Sequence, residues 1–134
     1  MQQWVWTHGA QLGDFYSDQY DYATAAKHYL RSALCGDAHS QDELAKLYEL
    51  GRGVKKDFRR AWLWIRIAHE VGRTDESVGV RMMNYQRQVL LPDLGYVDDA
   101  FALWAVRRPD QTVTCETESQ VAETEFRNGL FLLN

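Results

Sequence analysis

One spacing recurs along the chain and limits what it can become. Tyr22, Ala25, Tyr29, Ser32 and Gly36 stand at the same intervals as Phe58, Ala61, Ile65, Ala68 and Gly72, 36 residues later. Upstream, Leu12-Gly13-x-Phe15-Tyr16 returns as Leu44-Ala45-x-Leu47-Tyr48 after 32 residues. The four-residue difference falls in the connection, where the second unit carries Gly51-Arg52-Gly53-Val54 and the first the link Ser17-Asp18-Gln19-Tyr20. A repeat of this period is a supersecondary unit that buries its apolar face only by stacking on neighbours.

The second unit spells out its own geometry. Leu44, Leu47 and Tyr48 fall at i, i+3 and i+4, one face of a helix. Gly51 follows the last periodic residue, where a left-handed backbone ends a helix without a Cβ clash. Gly53 adds a second permissive position, so either glycine is expected at positive φ. Asp57 is placed to cap a second helix that runs to about Val71 and stops at Gly72. The apolar residues of that helix cover an arc of about 220°, too wide for one neighbour. Ala61 and Ala68 permit close helix approach, and the aromatic positions fill the gaps between helices.

The pattern over Gly36–Gly72, G-D-A-x-x-Q-x-x-L-x-x-L-Y-x-x-G-x-G-V-x-x-D-x-x-x-A-x-x-W-x-x-x-A-x-x-x-G, resembles the Sel1-like repeat, a relative of the tetratricopeptide repeat. Ser40 stands where that family favours Ala, and Ala45 where it favours Gly. The unit at about 4–36 is looser, lacks the G-x-G link, and its Asp21-Tyr22-x-x-Ala25 junction reads more like a tetratricopeptide. The resemblance covers about half of the chain. It implies an all-α fold, a short right-handed α-solenoid of two to three stacked αα-hairpins with a C-terminal capping helix or tail. It also implies a surface that binds proteins or peptides and no shared catalytic chemistry.

A degenerate third unit is expected at about 74–108. Thr74 is a candidate cap, Val78 to Leu90 supply apolar positions, and Pro92 is expected to stop that helix. Val97-x-x-Ala100-x-x-x-Trp104 then repeats the second-helix spacing, with Asp98 and Asp99 read as first-turn acids that complement the helix dipole. Residues 109–134 differ in character: five acids (Asp110, Glu116, Glu118, Glu123, Glu125) face one base, Arg127. Thr112–Cys115 alternates like a strand, and 119–128 has the pattern of a short helix. The apolar finish, Leu130 to Leu133, is expected to pack on the repeats or on a second subunit.

Other chemistry is sparse. Cys35 and Cys115 are eighty positions apart and outside any C-x-x-C pair, which reads as two reduced, buried thiols of a cytoplasmic protein. His8, His28, His39 and His69 form no metal-binding spacing, so no metal is expected. Gly51-Arg52-Gly53 has no preceding strand, and Lys56 is not followed by Ser or Thr, so no phosphate loop or cofactor is expected. A net charge of −4, with three bases against seven acids in residues 1–50, argues against nucleic acid. No apolar run reaches the ~18–20 residues of a membrane helix, and Met1-Gln2-Gln3-Trp4 lacks the pattern of a signal peptide.

The sequence therefore points to a non-catalytic interaction module or adaptor whose partner is another protein or peptide. The alternative is a homodimer assembled through its apolar C-terminus. Seven cations against two acids make residues 51–73 basic, and Arg59 and Arg60 are expected on the convex side, open to an acidic partner or to the tail. The concave side, by the resemblance, is lined by first helices, with Asp42, Lys46 and Glu49 in the second unit and Asp14 in the first. Trp4 and Trp6, uncovered by any earlier unit, are candidate anchors.

Overall fold

The computed structural model describes residues 2–72, 76–106 and Leu130, with side chains in the first helix described from Gly9 onward. Among these residues there are six α-helices: α1 (Gln2–Asp18), α2 (Tyr22–Leu34), α3 (Ala38–Leu50), α4 (Phe58–Val71), α5 (Glu76–Gln88) and α6 (Leu91–Val106). The expected all-α class holds for every described element. The strand-like 112–115 segment, the helix expected at 119–128, the Thr74 cap and most of the acidic tail lie outside the described residues.

The motif residues act as helix punctuation. Gly36 takes φ 99° after α2. Asp37 then caps α3, its carboxylate accepting from the Ser40 N–H at 3.0 Å and the Ser40 hydroxyl at 2.6 Å. Gln41 reaches back, its Nε2 donating to the Ala33 carbonyl at 3.0 Å, so one amide ties the start of α3 to the end of α2. Gly51 and Gly53 both adopt positive φ, 66° and 73°, as expected. Asp57 caps α4, accepting from the Arg59 N–H at 2.9 Å, and its own N–H donates to the Tyr48 carbonyl at 3.0 Å. The first link turns differently, because Tyr20, not a glycine, takes φ 61° there, followed by Asp21 as the cap of α2.

The core runs through α2, α3 and α4, where Tyr29, Leu44, Tyr48, Ala61, Trp64, Ile65 and Ala68 are all at or below 1% exposure. α1 packs on α2, α2 on α3 and α3 on α4, while α1 also touches α3. In α1 the matching positions Leu12 and Phe15 are exposed. Gly13 lies against the Tyr29 ring so closely that an added Cβ would stand 2.4 Å from it, which is why this position is glycine.

The last two helices depart from expectation. α5 and α6 each lie on α4 but have little contact with each other. Pro92 does not stop a helix; it stands in the first turn of α6, where its missing N–H costs nothing. Asp98 and Asp99 are consequently not first-turn residues, a role that falls to Asp93. Val97, Ala100 and Trp104 are buried as the repeat spacing requires.

The thiol reading is overturned. Cys35, fully buried at the end of α2, is disulfide-bonded. The chain's other cysteine, Cys115, lies outside the described residues. Leu130 is 2% exposed and belongs to the core of this same chain.

Two outcomes are expected. Gly53→Ala should destabilise by on the order of 2–4 kcal/mol in urea melts, because its Cβ would stand 2.3 Å from the Tyr22 backbone at a left-handed φ. Gly51→Ala, whose Cβ meets Lys56 at 3.2 Å, should cost about 1 kcal/mol. Reduction should lower the melting temperature, with a loss of about 2–4 kcal/mol; a Cys35→Ser chain should melt at the reduced value with or without reductant.

Candidate functional site

The expected concave lining is largely committed to the fold. In α1, Asp14 accepts a short hydrogen bond from the Tyr29 hydroxyl and lies 3.0 Å from His39 Nε2, joining α1, α2 and α3. Burial, and then the bond to Asp14, push the Tyr29 hydroxyl far above its ordinary range, so it remains a donor. Asp42, expected on an accessible face, is instead 5% exposed. Arg81 of α5 donates to it through Nη2, and Lys46 Nζ stands 3.7 Å away, itself 3.1 Å from Glu43. Glu49 accepts from the Tyr85 hydroxyl of α5 at 2.6 Å. Desolvation and this bond raise the Tyr85 hydroxyl well above its usual value. Thus Asp14 and His39 remain half-exposed, while Asp42 and Glu49 fasten α3 to α5.

Arg60 also departs from expectation: it is 8% exposed, its Nη1 2.6 Å from Asp57 and its guanidinium 5.9 Å from the Tyr48 ring centre. The capping carboxylate draws it inward. Arg59, less buried, donates to the same carboxylate at 3.2 Å. Burial pushes the Asp57 carboxyl up, but the bonds from Arg59 and Arg60 outweigh it and hold it below the ordinary carboxylate range. Its contribution to stability is therefore full above the usual carboxylate pKa and lost as acid protonates it. Trp4 and Trp6 lie in α1, with side chains outside those described.

A cleft over α4 was not foreseen. Because α5 and α6 diverge over α4, they leave a cleft of ≈ 500 Å³ lined by Trp62 and Arg66 of α4, Gly79, Met82 and Met83 of α5, and Leu94 and Asp98 of α6. Trp62 and Arg66, Gly79 and Met83, and Leu94 and Asp98 are each four residues apart, so each wall is one helix stripe, with Met82 beside Met83. Arg66 crosses the cleft: its guanidinium is 4.6 Å from the Trp62 ring centre and 4.4 Å from Phe101, and its Nη1 is 2.7 Å from Asp98. An added Cβ at Gly79 would meet nothing within 4 Å. The signal in the sequence was Gly79, inside a helix that gains nothing from it. Among the described residues no group of three His, Cys, Asp or Glu side chains could hold a metal ion, and no helix is long and apolar enough to cross a membrane.

Compared with protein-family models, with curated proteins and with solved structures, the chain matches none.

Asp42→Ala should destabilise the chain by on the order of 3 kcal/mol in urea denaturation, because it strands Arg81 beside an apolar core. Asp42→Leu combined with Arg81→Met should recover most of that loss.

Proposed function

We propose that this chain is a Sel1-like helical repeat protein, a short right-handed α-solenoid of two to three stacked αα-hairpins, that works as a non-catalytic binding module for another protein or peptide. The observation that carries this reading is the cleft between α4, α5 and α6. Its floor is Trp62, its walls hold Met82, Met83 and Leu94, and its volume of ≈ 500 Å³ is that of an ordinary recognition site. Methionine walls adapt to differing apolar side chains. A helix or extended segment that offers a few apolar residues is the natural occupant. The Asp14–Tyr29–His39 cluster does not favour catalysis, since the buried tyrosine is held protonated and its hydroxyl is engaged.

The solenoid reading draws on the packing of consecutive helices and on the cap geometry of α3 and α4, which follow the repeat pattern. The alternative, self-assembly through the apolar C-terminus, is disfavoured by Leu130, which is already buried within one chain. The cytoplasmic expectation rested on reduced thiols. The disulfide at Cys35 supports an oxidising compartment instead.

Gly79→Phe tests the reading, because its Cβ enters open space at the edge of the cleft and its ring occupies that space. The variant should melt no lower than the parent, given the poor helix propensity of glycine. It should also lose at least about 90% of partner recovered from the native host, a tenfold or greater weakening. Undiminished recovery would sink the cleft as the binding site. Light scattering should give the mass of one chain.

A further inference from the structure

We infer that the edge formed by the α3–α4 and α5–α6 connections is a second docking surface, one that binds an acidic segment of another protein bearing aliphatic side chains next to its carboxylates. The surface is a cleft of ≈ 360 Å³ that shares no residue with the one over Trp62. Four cations, Lys55, Lys56, Arg59 and Arg60, line it against two carboxylates, Asp57 and Asp93, on a chain whose net charge is −4. The local excess of positive charge thus opposes the sign of the whole.

How the charges are spent decides what the cleft can bind. Asp57 is saturated: it accepts from the N–H groups of Arg59 and Arg60 and pairs with both guanidiniums. Asp93 faces Arg59. Lys55 and Lys56 are exposed, and among the described residues neither has a carboxylate within ion-pair distance. Lys56 lies with its Nζ 5.1 Å from the Phe58 ring centre, over an apolar floor. Beside the lysines stands an apolar corner. Leu90 lines the cleft at 71% exposure, and Leu91, its neighbour, is 82% exposed.

Two adjacent leucines left in water next to two unmatched lysines form a composite surface. A purely anionic ligand would satisfy the lysines and leave the leucines wet. A purely apolar one would desolvate the lysines without compensation. A segment that alternates acidic and aliphatic residues satisfies both, with carboxylates at Lys55 and Lys56 and a side chain on Leu90 and Leu91. The partner is placed in trans on charge complementarity; the chain's own acidic residues beyond 109 are the competing occupant that the experiment separates.

The test uses the full oxidised chain and a fluorescein-labelled synthetic peptide of alternating glutamate and leucine, read by fluorescence anisotropy. Binding should weaken as salt rises past the screening of exposed charges, about 10 Å at 0.1 M. Lys55→Glu with Lys56→Glu should weaken it by about tenfold or more, and Leu90→Ser with Leu91→Ser by about tenfold, with melting unchanged because all four side chains are exposed. Gly79→Phe should leave this binding intact, which separates failure here from failure of the other cleft. Equal binding of a glutamate–serine peptide would overturn the proposal by reducing it to non-specific charge attraction. So would equal binding by either double variant. A several-fold gain in affinity on replacing Glu116, Glu118, Glu123 and Glu125 by Gln would overturn the assignment in trans, because the chain's own tail would then be the occupant.

Discussion

Two backbones lie closer together at Gly53 than any side chain would permit. The α3–α4 link rests on the first turn of α2, where a Cβ on Gly53 would fall 2.3 Å from the Tyr22 carbonyl carbon. That contact joins the first unit to the second without a side chain between them. It also fixes where the link goes next. Held there, the chain delivers Asp57 to the end of α3, where its N–H reaches the Tyr48 carbonyl, and to the start of α4, where its carboxylate caps the helix. Arg60 then folds in over Tyr48, and Lys55 and Lys56 are left on the outside. The left-handed φ at Gly53 and the absence of its Cβ are thus one requirement met twice by one residue type.

A second layer of constraint is polar. In successive first helices, Asp14, Asp42 and Glu49 each accept from a side chain on another helix: Tyr29 and His39 for the first, Arg81 for the second, Tyr85 for the third. Such bonds supply orientation, because a buried carboxylate left without its donor costs more than the pair contributes. A face whose carboxylates are already matched offers little to a partner. Open space lies instead where the repeat is imperfect, between α4, α5 and α6.

Much of this was legible in the sequence, and the parts that were not have physical reasons. Gly51, Gly53, Asp57 and Gly72 determine local backbone and cap geometry, so their roles could be read from neighbours alone, and α3 ends and α4 begins and ends where those residues place them. Tyr20 concealed its turn because a tyrosine at φ 61° carries no compositional signal. Pro92 is compatible with either end of a helix, and only the packing of α6 on α4 decides that it opens one. The identities of Asp42 and Arg60 suggested accessible surface. Their burial depends on partners 39 residues away in one case and three in the other, and the first lies beyond any local pattern. The disulfide is similar: the residues around Cys35 state no distance to another thiol until the chain is folded.

The cations of α4 and its leading link divide their work by chemistry. Arg60 and Arg66 are spent inside the molecule, each spreading a guanidinium over an aromatic ring while its N–H groups reach a carboxylate, Asp57 for one and Asp98 for the other. A planar fork serves both contacts at once, which an ammonium cannot. Lys55 and Lys56 carry compact, strongly hydrated charges on flexible stems, suited to a ligand whose carboxylates are not fixed in advance. Exchanging the two residue types would conserve net charge and still fail in both places. Lysines at 60 and 66 would lose the stacking that holds α4 to its neighbours, while arginines at 55 and 56 would present forks with no planar partner to meet. The sign of the charge on this edge comes from composition, but which of its cations remain available to a partner comes from the positions of Asp57, Tyr48 and Trp62 in the fold.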